Sequence, residues 1–261
     1  MTHPRPPLHT VQLADGPGVP IVLSHALGLD HRMWLSTAQA LDGRHPVLAF
    51  DHRGHGASPR MAAPWTMDDV TDDAAAVVEG WGRGPVVFVG LSMGGMAGQG
   101  LGIRRPELVR GLVLSHTAAR YGDAAREGWK QRVATVQAEG LEAVVETVLQ
   151  RYLTEPVRVA QPAQVEAMRQ TLLANDAASY CAACQAVAGV DWLDRLHAID
   201  RPTAVIAGAH DAGATPAMAR DIHERIAGST LDILPDASHL GPIEQPDAFM
   251  AALARGIGRV G

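Results

Sequence analysis

Cysteine is nearly absent from this chain: Cys181 and Cys184 are the only two in 261 residues. They cannot form a disulfide framework. They sit in a small-residue helical stretch, Ala178-Ser-Tyr-Cys-Ala-Ala-Cys-Gln-Ala186, with no strand before it, so they read as buried helix residues rather than a redox pair. Aromatic residues amount to 4%. The tryptophans Trp34, Trp65, Trp81 and Trp192 read as packing residues rather than a stacking platform. Basic residues are in deficit, with a formal net charge of -6. Nucleic acids and anionic membranes both call for clustered Lys and Arg, which this chain does not offer. No run approaches the roughly 18 apolar residues of a membrane helix. The Met1–Pro7 segment lacks the apolar stretch of a secretory signal, so a cytoplasmic location is expected.

What is present is a chain 47% hydrophobic and 19% charged, long enough for one domain with a large core and an insertion. Short apolar runs at Val19–Ser24, Val47–Asp51, Val86–Leu91, Leu112–Ser115, Thr203–Gly208 and Leu231–Leu234 predict strands, with a weaker one near His9–Leu13. Most are continuous rather than alternating, as in parallel strands buried on both faces. Helical patterns lie between them at Met33–Leu41, Met67–Trp81, Met93–Arg104, Pro216–Ile226 and Pro246–Ile257. This alternation implies an α/β fold with a mostly parallel sheet flanked by helices. From about residue 119 to 197 no strand is evident. That block is expected to form a helical cap, with residues 1–118 and 198–261 forming the core.

Gly90-Leu-Ser92-Met-Gly94 lies where an apolar strand gives way to a helix. This context presents a serine on a sharp turn at the sheet edge, with glycines permitting close backbone approach. Serine needs a base to take its proton. His239 follows the last predicted strand and falls on the same edge, where open parallel sheets hold ligand-facing residues. Asp211 ends the preceding strand and would orient the imidazole. The order Ser…Asp…His suits this arrangement, and Asp236 is a weaker competitor for the acid. Ser24-His25-Ala26-Leu27-Gly28 follows an early strand. There the Leu27 amide, with that of Met93, would bind a developing oxyanion. His25 is expected to brace the loop. Asp51-His-Arg-Gly-His-Gly-Ala-Ser58 suits a tight, salt-bridged loop better than a metal centre, which needs further convergent ligands. Neither a metal nor a cofactor is called for.

Together these residues resemble the α/β-hydrolase superfamily, over nearly the whole chain. A narrower likeness is to the 3-oxoadipate enol-lactonases. It rests on Ser24–Trp34, Asp51–Ser58, Gly90–Gly95, Thr117-Ala-Ala-Arg120, Trp129 with Arg132, and Asp236–Leu240 with Glu244-Gln-Pro246. At His25 and His116 the family pattern favours Asn. The resemblance implies a serine hydrolase that opens a small carboxylate-bearing enol lactone through an acyl-enzyme. Trp129, Arg120, Arg132 and Arg151 of the cap would be the substrate-binding residues. A general carboxylesterase, a C–C bond hydrolase and a cofactor-free perhydrolase share such a triad. A ligand-binding receptor on the same fold is an alternative of another class. Dehalogenases and epoxide hydrolases are disfavoured, because they need a carboxylate where Ser92 stands. The expected partner is a small ester or lactone, and the oligomeric state is left open.

Overall fold

The computed structural model describes residues 6–260. Strand β1 (Thr10–Ala14) is followed by β2 (Ile21–Ser24), helix α1 (Leu35–Leu41) and β3 (Val47–Phe50). Then come α2 (Met67–Trp81), β4 (Val86–Leu91), α3 (Met93–Arg104) and β5 (Val109–Ser115). Five consecutive helices interrupt the alternation: α4 (Asp123–Glu139), α5 (Glu142–Tyr152), α6 (Glu155–Ala160), α7 (Pro162–Leu173) and α8 (Ala177–Ala188). The chain closes with β6 (Thr203–Gly208), α9 (Pro216–Arg225), β7 (Thr230–Leu234), α10 (Gly241–Glu244) and α11 (Pro246–Gly258).

All seven strands form one sheet in the order β1-β3-β2-β4-β5-β6-β7. β1 runs antiparallel to β3, and the other pairings are parallel. β2, β3, β4 and β6 are buried at every position, as their unbroken apolar sequences require when helices cover both faces. β1 is an edge strand with alternating exposure. The expected strands and helices are all found, with ends displaced by a few residues. The stretch read as one helix from Met33 begins instead as a 3-10 turn, His31–Trp34, capped by the Asp30 carboxylate.

Local signals explain several boundaries. Thr66 and Asp69 form a reciprocal capping box at the start of α2, and Gly82 ends that helix with φ of 69°, a left-handed conformation that glycine tolerates without a Cβ clash. Asp176 caps α8 through the Ser179 amide. Within α8 both cysteines are buried and free, and burial pushes the Cys184 thiol up to about 12. No helix among the described residues is long and apolar enough to cross a membrane.

The helices α4–α8 form a cap over the C-terminal edge of the sheet. Its neck is closed by an antiparallel bridge between Arg120 and Asp191. Trp192 is anchored there, its indole donating to the Met96 carbonyl at 3.0 Å and its amide to Ala119 at 2.8 Å.

At the end of β6 the chain packs directly on the loop after β7. A Cβ on Gly208 would stand 2.1 Å from the Ser238 carbonyl and 2.4 Å from that of Ala237. Both obstacles are backbone, so no rotamer change relieves them. Gly208→Ala is expected to lower stability in urea denaturation by about 1–3 kcal/mol, the usual cost of overpacking.

Candidate active site

Ser92 stands between the last residue of β4 and the first of α3. Its φ of 58° and ψ of -114° are strained for a residue with a side chain. The turn is held by the Ser92 amide donating to Ser115 at 2.9 Å and by the Thr117 hydroxyl donating to the Ser92 carbonyl at 2.8 Å. It is possible only because position 90 has no side chain: a Cβ there would lie 2.1 Å from the Gly94 carbonyl.

His239 and Asp211 approach from the ends of β7 and β6. The His239 Nδ1 donates to Asp211 Oδ2 at 2.7 Å. The other carboxylate oxygen accepts the amides of Gly213 and Ala214 at 2.8 and 2.9 Å. Burial would raise the Asp211 pKa. The His239 ring, aided by His116, outweighs it and holds the carboxyl well below its usual range. An ionised Asp211 fixes the His239 proton on Nδ1 and leaves Nε2 as the acceptor. Ser92, His239 and Asp211 line one cavity. The Ser92 hydroxyl has no hydrogen-bond partner among the described residues, which leaves it unengaged on the cavity wall. Asp236 lies on the surface, where its carboxylate takes the Gln245 side chain, so the loop-ordering role fits it.

Leu27 lines the same cavity. Met93 opens α3, whose first-turn N–H groups have no carbonyl partner within the helix. The loop that carries Leu27 is braced by histidines. His25 Nδ1 donates to the Ala26 carbonyl at 2.8 Å, and its Nε2 accepts the His52 amide at 2.9 Å. Pinning the Ala26 oxygen also sets the direction of the Leu27 N–H, because both belong to one peptide plane. His52 Nε2 in turn pairs with the Ser24 hydroxyl at 2.9 Å. Burial lowers the pKa values of His25, His52 and His55, with mutual repulsion adding to the shift of the latter two. His25, which donates from one ring nitrogen and accepts at the other, is neutral, and burial favours the uncharged form of His52 and His55 as well.

Arg53 forms a buried pair with Asp73, at 2.5 and 2.8 Å. The salt-bridged loop expected for Asp51–Ser58 is thus present. Asp51 does meet two imidazoles, but not those of its own motif. His9 and His31 place their Nδ1 atoms 3.0 and 2.8 Å from its two oxygens. These three side chains have the residue types of a metal site, and they do not line the Ser92 cavity. The amides of His31 and Ala57 also donate to Asp51, so the carboxylate is satisfied by hydrogen bonds alone.

Of the four cap residues expected at the substrate, Trp129, Arg132 and Arg151 line the cavity with Ser92. The Arg132 guanidinium lies over the Trp129 ring at 4.5 Å. Neither Arg132 nor Arg151 has a carboxylate partner among the described residues. Burial, and after it the charge of Arg132, lowers the Arg151 pKa, as two guanidinium groups close together should. Arg120 is different. It pairs with Asp191 and Asp194 at 2.5 and 2.6 Å at the neck of the cap and is absent from the cavity wall. Where the sequence reading put Arg120 at the substrate, the structure places it outside this cavity with two carboxylates neutralising it.

The sequence reading missed Tyr121, Tyr152 and Glu244. Tyr121 and Tyr152 line the cavity. Glu244 ties the His239 loop to the cap, accepting the Ser238 amide and the Thr154 amide at 2.7 Å each. Only Glu244 had a signal, its place in the Glu-Gln-Pro run before α11.

Buried neutral histidines make the protein acid-sensitive. His55 is pushed down from 6.5 to about 4. Between those values the unfolded chain takes up a proton that the folded chain refuses, so stability falls as pH falls and is fully present above about 6.5. The loss attributable to His55 is about 3 kcal/mol. Melting temperatures taken in steps from pH 7 to 4 are expected to decline, and His55→Gln should flatten that decline. An unchanged slope in the variant would contradict this account.

A family model for the alpha/beta hydrolase fold matches residues 19–246. The chain is 34% identical over 240 residues to 3-oxoadipate enol-lactonase 2 of Acinetobacter baylyi, covering 92% of this chain and 88% of that protein. The enol-lactonase of Burkholderia xenovorans LB400 superposes with a TM-score of 0.92 at 33% identity, covering 96% of each chain. A thermophilic esterase from Thermogutta terrifontis superposes at 0.89 with 30% identity, over 97% of this chain and 93% of that one. With this sheet, this strand order and these matches, the chain belongs to the α/β-hydrolase family.

Proposed function

We propose that the protein is a serine hydrolase that opens a small enol lactone bearing a free carboxylate, converting 3-oxoadipate enol-lactone to 3-oxoadipate. The observation that carries this reading is the pair of guanidinium groups, Arg132 and Arg151, on the wall of the Ser92 cavity with no protein carboxylate to neutralise them. Arg132 is half-buried and Arg151 exposed at the rim, so a substrate carboxylate can reach both guanidinium groups and pair with them through charge-assisted hydrogen bonds. The enol-lactonases of A. baylyi and B. xenovorans support the same choice by similarity.

In this mechanism Ser92 Oγ attacks the ring carbonyl while His239 Nε2 takes its proton. The resulting oxyanion is held by the Leu27 and Met93 amides. Collapse breaks the acyl C–O bond, and the ring oxygen leaves as an enolate that takes the proton from His239 and tautomerises to the ketone. The leaving group stays tethered to the acyl-enzyme. A water deprotonated by His239 then attacks the ester carbonyl. Ser92 departs with that proton, and the product carries one new carboxylate beside the one already present. Asp211 stabilises the imidazolium in both halves.

The cavity between Leu27, Ser92 and the cap is narrow, about 30 Å³. A lactone therefore enters only when cap side chains swing aside or the cap shifts. A second reading, a general carboxylesterase, is favoured by the 30% identity to the T. terrifontis esterase.

One assay separates the two. Arg132→Ala is expected to raise KM for an anionic lactone by about 10- to 100-fold, the worth of one charge-assisted hydrogen bond, and to leave KM for a neutral aryl acetate unchanged. Equal losses on both substrates would argue for the general esterase. A fluorophosphonate probe should label the wild type and not Ser92→Ala; an unlabelled, folded wild type would return the chain to the binding-protein class.

A further inference from the structure

We propose that Tyr152, carried by the cap, is a positioning residue for both the oxyanion loop and the catalytic base. The inference rests on the reading of Ser92 as nucleophile and His239 as base. Tyr152 is the last residue of α5 and is 6% exposed. Three separate parts of it touch the machinery. Its hydroxyl donates to the Leu27 carbonyl at 2.7 Å. Its ring stacks on the His239 imidazole, with centroids 5.0 Å apart and planes 26° from parallel. Its own carbonyl accepts the His239 amide at 3.2 Å.

Leu27 is consequently fixed on both sides. His25, from the core, holds the carbonyl of the peptide that supplies the Leu27 N–H. Tyr152, from the cap, holds the next carbonyl. The following residue, Gly28, has φ of 77° and could swing if unrestrained, but its carbonyl accepts the side chain of Asn175, another cap residue, at 2.8 Å. Burial raises the Tyr152 pKa, so the phenol keeps the proton it donates. The end of α5 is itself clamped to the base loop, because Ser238 Oγ donates to the Arg151 carbonyl at 2.8 Å. Arg151 and Tyr152 are adjacent, so an anion drawn to the first bears on the helix end that aligns the second. The cap thus contributes to turnover as well as to substrate fit.

The test uses the full chain with p-nitrophenyl acetate, a neutral ester that does not depend on the arginines, together with capture of Ser92 by a fluorophosphonate. Tyr152→Phe keeps the ring and removes the hydroxyl. It is expected to lower kcat about tenfold, the worth of one hydrogen bond at this site, with KM within about twofold and a melting temperature lowered by only a few degrees. Tyr152→Leu removes both contacts and should lower kcat and the labelling rate by about 100-fold or more, with Phe restoring part of that loss. If Leu fails to fold, the Phe variant decides alone. Wild-type kcat in Tyr152→Phe, or a rise confined to KM, overturns the proposal. A wild type that is neither labelled nor active on the ester overturns the nucleophile reading and this inference with it. A labelled, active wild type with an equally fast Phe variant overturns this inference only.

Discussion

The bond between Asp211 and His239 is the interaction on which the rest of the site is arranged. A carboxylate buried this deeply would ordinarily be driven to take up a proton. Here two backbone amides hold one oxygen and the imidazole holds the other, so the charge survives. That charge decides the tautomer of His239, and the tautomer leaves Nε2, the nitrogen turned away from Asp211, without a proton. His116 stands at the end of β5 with its Nδ1 3.6 Å from the same oxygen. It is fully buried with neither ring nitrogen hydrogen-bonded, and burial lowers its pKa, so it adds no fixed cation beside the pair.

A second set of neutral imidazoles supports the other side of the site. His25, His52 and Ser24 form a chain of hydrogen bonds beneath the Ala26–Leu27 peptide. His25 must donate from Nδ1 to Ala26 and accept the His52 amide at Nε2, so the chain works only while that ring is uncharged. Low-dielectric surroundings supply that condition. The price is a fold whose stability depends on pH in the range where histidine titrates.

The cap is often imagined as a lid that excludes water and selects substrate. In this protein it is also bonded to two loops at the Ser92 cavity. The segment from Arg151 to Thr154 is bonded to the His239 loop through Ser238 and Glu244, and Tyr152 and Asn175 are bonded to the Leu27–Gly28 loop. Loosening this edge would disturb the His239 loop and the Leu27–Gly28 loop together. The Tyr121 and Trp129 wall, held by its edge-on ring contact, has no such bond to the His239 loop among the described residues.

Residue order alone determined the sheet, its parallel sense and the elbow. Short continuous apolar runs bounded by Gly or Pro fit strands covered on both faces, and Gly90 with Ser92 at a strand-to-helix junction fits a tight turn. The same order placed Asp211 and His239 on one edge, since all parallel strands end there. It could not separate Arg120 from Arg132 and Arg151. All three are cap arginines of equal charge, and the difference lies in Asp191 and Asp194, which the fold brings back to Arg120 from 71 and 74 residues away. Nor could it mark Tyr152, whose partner Leu27 is 125 residues distant. Periodicity encodes what a residue does within its own element; contacts between cap and core are decided only when the helices dock, because packing there is set by shape across the interface and leaves no local pattern.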